Sequence, residues 1–73
     1  MDAIIEFAED DYAAFEIKLS NAMIDEAKAS LMKFYNAVAV KPSFMCIIVG
    51  NGLGVVRDKD TGIYIVPVTE LGV

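Results

Sequence analysis

The chain is 73 residues long and 56% hydrophobic, with a formal net charge of −5, one cysteine and no histidine. That length holds one domain at most, and a lone cysteine excludes an internal disulfide. The lack of histidine excludes His-containing zinc sites and Ser-His or Cys-His catalysis within the chain.

The first apolar run, Asp2-Ala-Ile-Ile-Glu-Phe7, alternates, with Ala3, Ile5 and Phe7 on one side and Asp2, Ile4 and Glu6 on the other. The second, Tyr12-Ala-Ala-Phe-Glu-Ile-Lys-Leu19, sets Ala13, Phe15, Ile17 and Leu19 against Glu16 and Lys18. Their two-residue spacing puts Glu16 and Lys18 on one face of a strand. The short polar connector Ala8-Glu9-Asp10-Asp11 predicts an antiparallel hairpin with a solvated acidic tip. A one-residue slip would swap the faces, so only pairings whose residue numbers sum to an even value keep the apolar sides together. A sum of 18 sets Asp2 opposite Glu16, with Cβ atoms roughly 5 Å apart. A sum of 20 sets Asp2 opposite Lys18 and Ile4 opposite Glu16. In both registers three ionisable groups share one patch. Close carboxylates repel unless a proton, a lysine or a cation relieves them, and hard divalent cations take such oxygen ligands.

Next, Ser20 or Asn21 can N-cap a helix whose first turn holds Asp25 and Glu26. Ile24, Ala27, Leu31, Phe34 or Tyr35, and Val38 recur at helical spacing as one apolar stripe, which leaves Lys28 and Lys33 on a solvated side. Pro42 biases Lys41 away from helix. Phe44-Met-Cys-Ile-Ile-Val49 has no alternation, the pattern of a strand covered on both faces, with Cys46 as a small buried hydrophobe. Strand, helix, strand predicts a right-handed crossover between parallel strands. Gly50-Asn-Gly-Leu-Gly54 reads as a hairpin connector into Val55-Val-Arg57. It lacks the G-x-G-x-x-G spacing, the Walker Lys-Ser/Thr and the following helix of a phosphate cradle. Asp58-Lys-Asp-Thr-Gly62 reads as a turn: for a calcium loop its glycine comes one position early, and Thr69 stands where the closing Glu belongs. Ile63-Tyr-Ile-Val66 is the last strand, with Pro67 at its end. The expected fold is α/β in the broad sense, of the α+β kind: a mixed sheet of about five strands, order β-β-α-β-β-β, with one main helix packed on it.

An Asp, a gap and then Glu-x-Lys across two hairpin strands, followed by a helix, resembles the PD-(D/E)xK nuclease superfamily. More narrowly, Asp2-Ala-Ile-Ile-Glu, Ala14-Phe-Glu-Ile-Lys-Leu19 and Ile24-Asp-Glu-Ala27 are similar to the C-terminal nuclease-like region of a family of bacterial and archaeal AAA-type ATPases of unknown function. The similarity continues through the strand at 44–49 and Gly62-Ile-Tyr-Ile-Val-Pro-Val68. The resemblance implies a truncated restriction-endonuclease-like core, with residues 1–73 a single nuclease-like domain forming the C-terminal part of a larger ATPase. It also implies that Asp2 and Glu16 ligate Mg²⁺ and that Lys18 positions or activates the attacking water.

Partners follow from the surplus of apolar residues. A core of this size rarely supplies more than ~3–5 kcal/mol of net stability, yet the mean hydropathy is +0.50. The excess apolar surface is expected to be covered by a second copy, giving a homodimer, or by preceding domains of the parent ATPase. Nucleic acid enters through the nuclease resemblance alone, because six scattered basic residues form no phosphate-binding stripe. No basic segment precedes an apolar stretch and no apolar run approaches ~18 residues, so neither a signal peptide nor a membrane span is expected. Cys46 fits a reducing cytoplasm. The function expected is that of a Mg²⁺-dependent nuclease-like domain, the alternative being a non-catalytic assembly or partner-binding module that retains the fold.

Overall fold

The N-terminal hairpin forms as its alternation dictates. In a computed structural model that describes residues 2–52 and 54–71, strand β1 (Ala3–Ala8) runs antiparallel to β2 (Asp11–Lys18). Ala3 pairs with Phe15, Ile4 with Ala14 and Ile5 with Ala13, so the register is the one whose residue numbers sum to 18. It shifts between Glu6 and Ala8, which leaves Phe7 as the extra residue of a bulge.

After β2, the Ser20 hydroxyl accepts from the Ala22 amide at 3.2 Å and opens a 3-10 turn, Asn21–Met23, that leads into helix α1 (Ile24–Ala37). Asp25 and Glu26 occupy the first turn, where a negative charge complements the helix dipole. At the other end the Lys41 ammonium folds back to donate to the carbonyls of Tyr35 (2.5 Å) and Val38 (2.9 Å), satisfying groups the helix leaves open. Strand β3 (Phe44–Val49) then lies parallel to β2, as a helical crossover requires.

The elements follow the expected order, but beyond β3 the strands do not pair as the expected hairpin. Strand β5 (Tyr64–Pro67) pairs parallel with β3, while β4 (Val56–Arg57) pairs antiparallel with β5, giving the sheet order β1-β2-β3-β5-β4. The glycine-rich segment 50–54 is therefore not a hairpin connector; it carries the chain past the β5 position to the edge, and Leu53 within it lies outside the described residues. The physical reason is that β3 is apolar throughout and takes the interior, whereas the two exposed residues of β4 suit an edge. The turn at 58–62 does form: Gly62 takes φ +74° and donates to the Asp58 carbonyl at 2.8 Å, a conformation open to glycine without strain.

Helix α1 covers one side of the sheet. Ala27 and Leu31 join Ala14, Met45, Ile47, Val49 and Ile63 in the core, and the edge of one ring in the Tyr12–Phe34 pair meets the face of the other. Strand parity then puts Tyr12, Ala14, Glu16 and Lys18 on the helix side, and Phe15, Ile17, Phe44, Ile48 and Tyr64 on the opposite side. Among the described residues no element covers that opposite side: Phe7 is 56% exposed, Ile17 49% and Phe44 38%. The expectation that β3 is covered on both faces is thus corrected, because a chain with one main helix can lay it on one side only. Cys46 is free and buried, and burial pushes its thiol pKa up.

Lys28 also departs from its expected place on a solvated side. It is half-buried, and its ammonium lies 2.9 Å from the Asp58 carboxylate. The same carboxylate accepts from the Thr61 amide (3.0 Å) and hydroxyl (2.7 Å). Lys28 first, then the two Thr61 donors, hold the Asp58 carboxyl down at about 2, against an ordinary 3.8. A depressed carboxyl contributes stability that is present above 3.8 and is lost as the pH falls through about 2. Asp58→Asn is therefore expected to lower the melting temperature at neutral pH. The gap between wild type and variant should close across that acid window, as thermal unfolding followed by circular dichroism would show.

Candidate carboxylate–lysine site

The β1–β2 register, extended by one residue, sets Asp2 opposite Glu16. Asp2 is tied to β2 on both sides of that glutamate. Its amide donates to the Phe15 carbonyl at 3.0 Å, and its carboxylate accepts from the Ile17 amide at 2.7 Å. The Ile17 amide is the main reason the Asp2 carboxyl lies below its ordinary range; burial opposes it, and a hydrogen bond with Glu16 and the charge of Lys18 add to it. The Asp2 and Glu16 carboxyl groups thus lie near one another across the two strands.

Glu16 is 4% exposed, on the helix side of β2 between Ala14 and Lys18 and beside Ile47 of β3. Lys18 is half-buried at the end of β2, beside Val49. All three residues singled out from the sequence therefore come together, where β2 and β3 end and β1 begins. Two carboxylates set side by side are relieved by a neighbouring positive charge, which Lys18 supplies, or by a cation between them. Among the described residues no group of three or more acid, cysteine or histidine side chains could hold a metal. A cation here would have two protein carboxylates. That donor set fits Mg²⁺, which takes one or two carboxylates and completes its octahedron with water and phosphate oxygens.

Two shallow cavities lie elsewhere. One, of about 370 Å³ at the opposite end of the parallel strands, is lined by residues including Met32, Tyr35, Arg57 and Tyr64. The other, of about 340 Å³ beside the hairpin tip, is lined by Ile4, Glu6, Tyr12, Phe34, Val38 and Val40 among others. Neither includes Asp2, Glu16 or Lys18. The chemistry favours the carboxylate cluster over the larger hollow, whose lining holds one cation, Arg57, and no acid. Arg57 and its stacking over the Tyr64 ring, 5.8 Å away, escaped the sequence reading because no spacing signals that β4 lands beside Tyr64. No helix among the described residues is long and apolar enough to cross a membrane. Comparison with protein-family models, with curated proteins and with solved structures finds no match to this chain in any of the three.

Proposed function

We propose that the chain is a nuclease-like domain that hydrolyses phosphodiesters with the help of Mg²⁺. The observation that supports this most is the meeting of Asp2, Glu16 and Lys18 through a single strand register. In this reading Asp2 and Glu16 hold the cation, and the Ile17 amide fixes the orientation of the Asp2 carboxylate. When bound, the cation would polarise the phosphoryl group and lower the pKa of a nearby water. Lys18, two residues from Glu16 on the same face, orients the attacking water and offsets negative charge that develops on the phosphoryl oxygens. The resemblance further suggests that the domain closes the C-terminal part of an AAA-type ATPase in the cytoplasm. The grip on nucleic acid would then belong to other domains, which accommodates a net charge of −5.

A second reading, a non-catalytic assembly module that keeps the fold, is favoured by the near-complete burial of Glu16. Titration calorimetry with Mn²⁺ and Mg²⁺ separates the two. Under the first reading the wild type gives a saturable isotherm, and Glu16→Gln loses at least about tenfold in affinity. Lys18→Ala should keep the isotherm while losing hydrolysis of a model phosphodiester. Identical isotherms in wild type and Glu16→Gln, or no heat from either, would overturn the hydrolase reading.

A further inference from the structure

The hollow of about 370 Å³ at the end of the sheet away from Asp2, Glu16 and Lys18 falls within the ~300–1,000 Å³ of small-molecule sites. Three aromatic rings, Tyr35, Phe44 and Tyr64, and two thioethers, Met32 and Met45, line it. Rings and thioethers are polarisable surfaces against which a flat apolar body packs well. One charged side chain joins them, the guanidinium of Arg57. An arginine on an edge strand ordinarily blunts that edge with its charge and moves freely in water. Arg57 is held instead. The β4–β5 register sets it directly across from Tyr64, and its guanidinium lies 5.8 Å from the centre of that ring. Its Nε donates to the Gly62 carbonyl over a long 3.4 Å, which leaves the two Nη groups as a planar fork of donors. Glycine at 62 gives the fork room, since a Cβ there would stand 3.3 Å from Nη2.

We propose that this hollow binds a small planar organic anion, an arene that bears a carboxylate or a phosphate. The anionic group sits on the Nη fork of Arg57, and the arene lies among the rings of Tyr35, Phe44 and Tyr64. Charge placement argues for an anion. Among the described residues no carboxylate forms an ion pair with Arg57. The two acids nearest the lining are engaged: Asp58 pairs with Lys28 at 2.9 Å and accepts from Thr61, and Asp11 accepts from the Ser43 hydroxyl. The Lys41 ammonium lies 4.9 Å from the centre of the Tyr35 ring, so a second positive charge stands close to one wall. Among the described residues the Tyr35 and Tyr64 hydroxyls donate to no protein group, which leaves both able to donate to an anion. A metal cation fits poorly, because the lining offers no carboxylate. A nucleic-acid strand needs a row of cations, which a single arginine does not make. The proposal does not rest on the phosphodiesterase reading, whose residues lie at the other end of the parallel strands.

Titration of the whole chain with phenyl phosphate, in EDTA and followed by nuclear magnetic resonance, tests it. Saturable shifts are expected at the Gly62 and Tyr64 amides and at the Arg57 Nε–H, with a dissociation constant at or below about 1 mM. Benzoate should move the same signals. Phenol lacks the anionic group and inorganic phosphate lacks the ring, so each should bind at least about tenfold more weakly. Arg57→Gln should weaken phenyl phosphate by about tenfold. Arg57→Lys, which keeps the charge without the fork, should recover part of that loss. Phenol that binds as tightly as phenyl phosphate overturns the proposal, as does an Arg57→Gln variant that binds like wild type. Saturation by neither phenyl phosphate nor benzoate overturns it too, and so do shifts confined to Lys18 and its neighbours. Should Arg57→Gln fail to fold, the comparison of phenol with phenyl phosphate on the wild type still decides.

Discussion

Leu31→Ala is expected to lower the free energy of unfolding by about 2–5 kcal/mol, enough to leave much of the chain unfolded. Leu31 is completely buried on the inner stripe of α1, in the core cluster that also holds Ile47 and Ile63. Two other members of that cluster, Ala14 on β2 and Ala27 one turn earlier on the helix, are too small to fill the hole. A domain of this length has only about 3–5 kcal/mol to lose, so one cavity is comparable with its whole net stability. Leu31→Met, which conserves volume, should cost less than about 1.5 kcal/mol. Urea unfolding followed by far-ultraviolet circular dichroism gives both values. Equal losses for the two variants would show that the site collapses around either residue, and that Leu31 is not what joins helix to sheet.

What was legible in the sequence was what local periodicity encodes. Alternation in 2–7 and 12–19 gives both strands of the hairpin. Parity restricts the register to even sums, and the fold takes the one that puts Asp2 across from Glu16. The spacing of Ile24, Ala27 and Leu31 gives the inner stripe of α1, with Ala27 and Leu31 buried as expected. What was not legible depends on how elements meet in space. Period two says that Glu16 and Phe15 face opposite ways but not which side the helix will take. It takes the side of Glu16, so the acid is buried beside Ala14 and Ile47 while the aromatic side stays open. The same limit hid the pairing of β5 rather than β4 with β3, and the ion pair between Lys28 and Asp58, thirty residues apart in sequence. The bond from the Ile17 amide to the Asp2 carboxylate has no sequence signature either, because it appears only once the register places Asp2 alongside the β2 backbone. Asp2, Glu16 and Lys18 stand out in the sequence because ionisable residues are costly to bury. Their detailed bonding belongs to the assembled sheet.

Burial of Glu16 beside Asp2 makes the ends of β2 and β3 the part of the sheet on which the proposed chemistry rests, and a glycine holds those ends together. A Cβ on Gly50 would stand 2.6 Å from the carbonyl oxygen of Leu19, well inside contact distance, and a backbone oxygen cannot rotate out of the way. Gly50 directly follows β3 and Leu19 directly follows β2, so this approach locks the two parallel strands just beyond Lys18. Gly50→Ala should therefore force the strand ends apart, at a cost of about 1–3 kcal/mol, the range for a methyl group pressed into packed structure. The neighbouring Asn51→Ala is the matched control. Asn51 is exposed and, among the described residues, its side chain makes one long 3.5 Å contact, with Asn21, so its loss should stay within about 0.5 kcal/mol. The displacement in Gly50→Ala falls on Leu19 and hence on Lys18, while Asp2 stays anchored to Phe15 and Ile17. Under the proposed function, hydrolysis should then drop more steeply than Mn²⁺ affinity, because the lysine moves and the carboxylate pair does not. Melting temperature, calorimetric Mn²⁺ affinity and phosphodiester hydrolysis, measured on both variants, separate these effects. If Gly50→Ala melts with Asn51→Ala and wild type, the close approach is not a constraint on the fold.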